Sequence, residues 1–258
     1  MMAAASRAFL PAPGTLVLRL ASFALLLAIW QIAAHVADSR LLPSAGAVLA
    51  SLVEETLAGS LLYNLGITLA RVAASFLVAM VAGVAIGIVM GRSRTINLLF
   101  DSWLVLLLNL PALVIIVLAY VWFGLTEAAA IGAVALNKIP AVAVTLREGA
   151  RALDRDYAEL ARGFRIGRWR TLRHVVLPQL HPFLIAAARS GLALIWKIVL
   201  IVELLGRSNG VGFEIQLYFQ LFDVTRILAY ALAFTAVIQA VEWAVLQPLE
   251  ARAGRWRR

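Results

Sequence analysis

The sequence predicts an all-α polytopic membrane protein with six transmembrane helices, and three observations predict it. Of 258 residues, 63% are hydrophobic and 14% are charged, whereas soluble domains carry about 25% charged residues. Mean hydropathy is +0.91. The apolar residues gather into six runs, each close to the ~20 residues that a helix needs to cross about 30 Å of hydrocarbon. These runs fall near 16–37, 65–90, 98–121, 128–147, 181–202 and 228–249.

Taken in order, a short N-terminal segment (1–15) holds Arg7 and precedes the first span. That span is longer than a signal-peptide core and further spans follow, so it reads as retained. After it, Ser44 is placed to cap a helix with Val48, Leu49, Leu52, Val53, Thr56 and Leu57 at helical spacing. Gly59 ends this helix, which reads as lying along the membrane interface. The second span carries Ala79, Gly83, Gly87 and Gly91 at four-residue intervals. Small residues so spaced let two helix backbones approach, and packing within the chain is the preferred reading over a dimer seam. Pro111 in the third span and Pro140 in the fourth each remove a backbone donor and predict kinks. Between the fifth and sixth spans, Asn209-Gly210 marks a turn before an aromatic stretch with Phe213, Tyr218, Phe219 and Phe222. The domain division is therefore a single membrane domain, 16–250, and a basic tail, 251–258.

Charge sets the orientation. With the N-terminus inside, sixteen arginines lie on the cytoplasmic side, and only Arg40, Arg207 and Arg226 lie on the other. That bias puts both termini in the cytoplasm. The net charge of +9 therefore reflects topology and contact with anionic membrane lipid, not nucleic-acid binding. There is no cysteine, which excludes disulfides and thiolate chemistry. His35, His174 and His181 are scattered without metal-ligand spacing, and no nucleophile–base pair is visible, so the sequence offers no catalytic and no metal site.

Two lysines fall inside spans: Lys138 in the fourth, beside Asn137, and Lys197 in the fifth. Intramembrane charge is costly and needs a partner or a wet cavity. Two readings stand. Either Lys138 and Lys197, with Asn109 and Pro111, line a positive path for an anion, or they pair structurally, Lys197 with Glu203 and Lys138 with carbonyls freed by Pro140.

The loop at about 148–178 is the most polar part of the chain, with eight arginines from Arg147 to Arg173. Asp156 and Glu159 are spaced as a capping pair at the positive end of a helix dipole. The helix they open carries Tyr157, Leu160, Ala161 and Phe164 on one face. Gly163 and Gly167 predict a bend. A second short helix, with Trp169, Leu172 and Val176 on one side, then leads to Leu177 and Pro178 at the start of the fifth span.

Glu159-Leu160-Ala161, followed after thirteen residues by Val175-Val176-Leu177-Pro178, resembles the EAA motif of inner-membrane permeases of binding-protein-dependent ABC importers. The family pattern is E-A-A, three residues, G, nine residues, I-x-L-P. This chain departs from it at the glycine position, which holds Arg165. Leu41-Leu42-Pro43-Ser44, Arg71, Trp122-Phe123-Gly124 and Leu221-Phe222-Asp223 are similar to the nitrate/sulfonate/taurine branch.

The resemblance implies a type I ABC importer permease-like fold whose loop is a coupling helix. Asp156, Tyr157, Glu159, Leu160, Ala161, Gly163, Phe164, Leu177 and Pro178 would then meet a cytoplasmic ABC ATPase dimer. It also implies a second permease copy, as a homodimer, and a periplasmic solute-binding protein. The expected setting is the bacterial inner membrane, and the expected cargo is a small anion such as a sulfonate, taurine or nitrate. No cofactor is expected in this chain: it has no phosphate-binding P-loop, and ATP and Mg would be bound by the ATPase. The alternative is a secondary transporter or channel that acts without partners. The absence of a clear inverted repeat and the few acidic residues for ion coupling count against it.

Overall fold

The computed structural model describes residues 13–57, 59–154, 156, 159–160, 163–246 and 248. Its main elements are α1 (Pro13–Ala37), α2 (Ala45–Leu57), α3 (Leu61–Arg92), α4 (Arg94–Asn109), α5 (Ala112–Phe123) and α6 (Glu127–Arg151). A short α7 (Arg168–Thr171) runs through a π-turn (Leu172–Val176) into α8 (Leu177–Gly206). There follow α9 (Val211–Gln220), α10 (Val224–Val241) and a terminal π-turn (Glu242–Leu246).

Five stretches are long and apolar enough to cross a membrane, and the α4–α5 pair makes a sixth if counted as one span. The third span is thus a correction to the expected kinked helix at 98–121. Leu110 is extended (φ −70°, ψ 126°) and Pro111 is the N-cap of α5, so the two halves meet at 98°. A proline both lacks the N–H and drives the residue before it out of the helical region. Pro140, by contrast, sits within an unbroken α6.

The core is α3, α6 and α8. The stripe of small residues on α3 lies directly on α6. A Cβ on Gly83 would stand 2.6 Å from the Val142 Cβ, and one on Gly87 would stand 2.5 Å from the Ala143 carbonyl oxygen. One on Gly91 would stand 2.6 Å from the Ala150 Cβ. The stripe therefore serves packing within the chain, as the sequence indicated. Its closeness replaces the hydrophobic drive that lipid cannot supply.

α2 crosses one end of the bundle. Ser44 Oγ accepts from the Ala47 N–H at 3.2 Å, a cap of the expected kind. α1 touches the remainder chiefly through α2, where Trp30 Nε1 donates to the Pro43 carbonyl at 3.0 Å.

Candidate functional site

The bundle has two polar ends. At one, which we call the loop end, α6 passes into the long basic loop. Gly149 packs so closely on Phe183 of α8 that a Cβ there would lie 2.6 Å from the ring. The Gln179 side chain accepts from the Asp154 N–H at 3.0 Å, tying the loop's entry to its exit. Arg147, on the last turns of α6, reaches across to Asp101 of α4 and donates to Asn97 at 3.2 Å.

Between these feet, Asp156, Glu159, Leu160, Gly163 and Phe164 line a shallow concavity. Leu160 and Phe164 expose apolar surface, Phe164 at 79%. Asp156 and Glu159 stand exposed beside them. Tyr157 and Ala161, expected on the same face, lie outside the described residues. The cap differs from expectation. It is Asp154 whose carboxylate accepts from the Asp156 N–H, at 2.9 Å, so the capping contact comes from a residue two positions before the one the D-x-x-E spacing indicated.

The bend differs too. Neither Gly163 nor Gly167 has a positive φ or a neighbour that a Cβ would meet. The left-handed residue is Arg165, at φ +50°. The motif's glycine position thus keeps the backbone shape that usually selects glycine, and an arginine adopts it. Beyond it, Trp169 is 71% exposed, Val176 is buried, and Leu177 and Pro178 open α8 at the surface.

At the opposite end, a network that sequence reasoning missed is centred on Arg71 of α3, which is buried. Its Nε and Nη2 fork onto Glu127 at 2.9 and 2.6 Å. Its Nη1 donates to Glu203 at 2.7 Å and to the Asn209 carbonyl at 2.8 Å. Glu203 is wholly buried. Its other oxygen accepts from Thr68 and from the Gly212 N–H, both at 2.9 Å. Gly210 and Gly212 make this possible, since a Cβ at either would strike Glu203. Arg207 joins from the α8 end, donating to Glu127 at 2.5 Å.

A second group adjoins the first. Glu214 accepts from Asn64 at 2.7 Å and Ser60 at 3.1 Å. Glu55 accepts from Tyr230 at 3.1 Å and pairs with Arg226 at 3.0 Å. Tyr218 donates to Glu55 at 3.4 Å. Burial, aided by Glu55 and Glu214, raises its pKa and keeps the phenol a donor.

These contacts revise the reading of the lysines. Glu203 is held by Arg71, not Lys197. Lys197 is exposed on α8 and has no ion pair among the described residues. Lys138 is 3% exposed, inside the bundle. Its Nζ donates to the Ser190 carbonyl at 3.2 Å and not to carbonyls freed by Pro140. Asn109 and Pro111 sit exposed at the α4–α5 elbow, where Asn109 Nδ2 donates to the Val105 carbonyl at 2.7 Å.

The chain is similar to known proteins over most of its length. A Bacillus subtilis permease provisionally named for aliphatic sulfonates transport is 29% identical over 91% of this chain and 85% of its own. The Escherichia coli taurine transport system permease protein is 27% identical, covering 93% and 89%. The Synechococcus elongatus bicarbonate transport system permease protein is 28% identical, covering 66% and 62%. Among solved structures, an amino acid ABC transporter chain superposes with a TM-score of 0.61 at 21% identity, over 80% of this chain and 97% of that one. Its fold is the type I importer permease fold. The family model for the binding-protein-dependent transport system inner membrane component matches residues 83–245, most of the chain from α3 to α10, so this multi-pass protein belongs to that family of inner-membrane ABC transporter permeases.

Proposed function

We propose that the chain is the non-catalytic permease subunit of an ATP-driven importer for a small oxyanion. Two copies would form the membrane pore, a cytoplasmic ATPase dimer would bind ATP and Mg, and a periplasmic binding protein would deliver the cargo. The loop end then faces the cytoplasm, in keeping with the arginine bias.

The observation that carries the reading is the loop surface. Exposed Leu160 and Phe164 flank exposed Asp156 and Glu159, while both feet of the loop are fastened to α6 and α8. A partner seated there would move the spans through rigid connections, biasing one membrane-facing state over another. The anion reading rests on the relatives' names, which share compact anionic groups, and on Lys197. A lysine exposed in the outer half of a span is costly to leave in lipid, so it is assigned to the path between the two copies. Lys138, inside the bundle, is assigned a structural role.

The test is reconstitution with its partner ATPase and binding protein. Wild-type complex should take up the anion with ATP, and Glu159→Lys should abolish uptake while the chain still inserts. Solute movement by the purified chain alone, or normal uptake by Glu159→Lys, would sink the proposal.

A further inference from the structure

At the loop end, a cavity opens where the end of α3, the start of α4 and the end of α6 converge. Arg92, Arg94 and Arg151 line it, with Asn97 and Leu98. The junction is tight: Gly91 allows α3 to meet α6 at Ala150 and Arg147, and the arginine side chains spread around that seam. Arg151 is shared with Glu148 at 3.1 Å. Arg92 and Arg94 make no ion pair with any described residue, and both are exposed. Counting neighbours from α4 and α6, Arg147 is neutralised by Asp101, and Glu148 serves both Arg147 and Arg151. Among the described residues, the guanidinium groups of Arg92 and Arg94 thus remain without a carboxylate.

The surface beside this cavity is apolar. Leu98 is 68% exposed and Leu99 64%, with Trp103 65% exposed a turn further along α4. Positive charge thus meets exposed apolar side chains at the end of α3, a helix long and apolar enough to cross a membrane. A free phosphate would gain nothing from the leucines. A diacyl lipid with an anionic phosphate headgroup uses both parts: the fork of each arginine for phosphate oxygens, and the α4 surface for the acyl chains. Basic pockets between helices at a membrane surface are suited to such headgroups.

We propose that this three-helix junction is a specific site for one anionic phospholipid, held by Arg92 and Arg94 with Arg151 in support. The site lies at the foot of the basic loop, because Arg151 is the last residue of α6. It depends only on the chain being a membrane protein, and so stands apart from the anion-importer reading.

The probes are dioleoylphosphatidylglycerol and dioleoylphosphatidylcholine, with the full-length chain purified in detergent and lipid retention read by native mass spectrometry. Wild type should retain one phosphatidylglycerol per chain in preference to phosphatidylcholine. Arg92→Gln/Arg94→Gln should weaken that retention roughly 30-fold, at about a factor of five per arginine. Arg170→Gln/Arg173→Gln removes the same charge from the nearby loop and should leave it unchanged. A monodisperse elution profile and an unchanged helical circular-dichroism signal identify folded variants. Arg151→Gln, which leaves both main ligands in place, should lower retention by a smaller factor.

Equal retention of the two lipids would overturn the proposal. So would equal loss from the two double variants, which would mean diffuse attraction to charge. Displacement by low-millimolar inorganic phosphate would overturn the lipid assignment in favour of a free-anion site. Retention unaffected by both Arg92→Gln/Arg94→Gln and Arg151→Gln would place the lipid elsewhere.

Discussion

Arg71 and Glu203 form an ion pair between α3 and α8, 2.7 Å apart and 132 residues apart in sequence, with Glu203 wholly inaccessible to solvent. Removing one partner leaves the other charged and buried. Arg71→Met should destabilise the chain by about 3–5 kcal/mol, read as a lowered unfolding midpoint in detergent. Arg71→Met/Glu203→Leu should cost much less than the two single changes together. Simple additivity would show that the pair is not coupled.

The contact of α3 with α6 makes a sharper steric prediction. Gly87→Leu drives a side chain into the Ala143 carbonyl and should lower folded yield and stability by at least about 1–3 kcal/mol. Gly66→Ala, on the same helix but with nothing within 4 Å, should be neutral within about 0.5 kcal/mol. Thermal scanning of the two variants in parallel checks the contrast.

Arg165 holds φ +50°, which disfavours a non-glycine residue by about 1–2 kcal/mol. Arg165→Gly should therefore keep ATPase association and uptake, because the bend is already glycine-shaped. Arg165→Val places a branched Cβ at the same φ and should impair both. Pull-down of the ATPase and uptake in proteoliposomes measure this, and loss of both in the glycine variant would refute the backbone role.

The two lysines should separate. Lys138→Met removes a buried ammonium held by a single carbonyl, and uptake should stay within about twofold, since an apolar residue of similar length replaces a desolvated charge. Lys197→Gln should cut anion uptake about tenfold or more, as expected for one charge–anion contact of about 1.4 kcal/mol or above, with assembly intact. Uptake unaffected by Lys197→Gln would remove that residue from the path.

Much of the fold was legible because lipid forces helices of known length, and charge bias between spans is local in sequence. The small-residue stripe on α3 was legible for the same reason: spacing alone shows which face is thin. What sequence could not show were relations set by tertiary structure. Pro111 and Pro140 look alike in an apolar run, yet one breaks its helix and the other does not. Arg71 stood in the second span as a lone charge, with Glu127, Glu203 and Asn209 all more than fifty residues away. Nearness along the helix pointed from Glu203 to Lys197, and three-dimensional packing overruled it. The loop motif pointed to the exposed surface of Asp156, Glu159, Leu160 and Phe164, but not to the Asp154 capping contact or to Arg165 carrying the turn.

The elbow at Pro111 settles a question of parity. The α4–α5 pair starts beside Arg147, which holds Asp101 and Asn97 at the loop end. It finishes beside Arg207, which holds the Leu125 carbonyl at the opposite end. A hairpin that dipped in and turned back would return to its starting face, whereas this bent pair changes faces. It therefore counts as one stretch despite its right angle, the sixth beside the five that are long and apolar enough to cross a membrane. A substitution that turned the elbow into a returning hairpin would therefore invert every later segment.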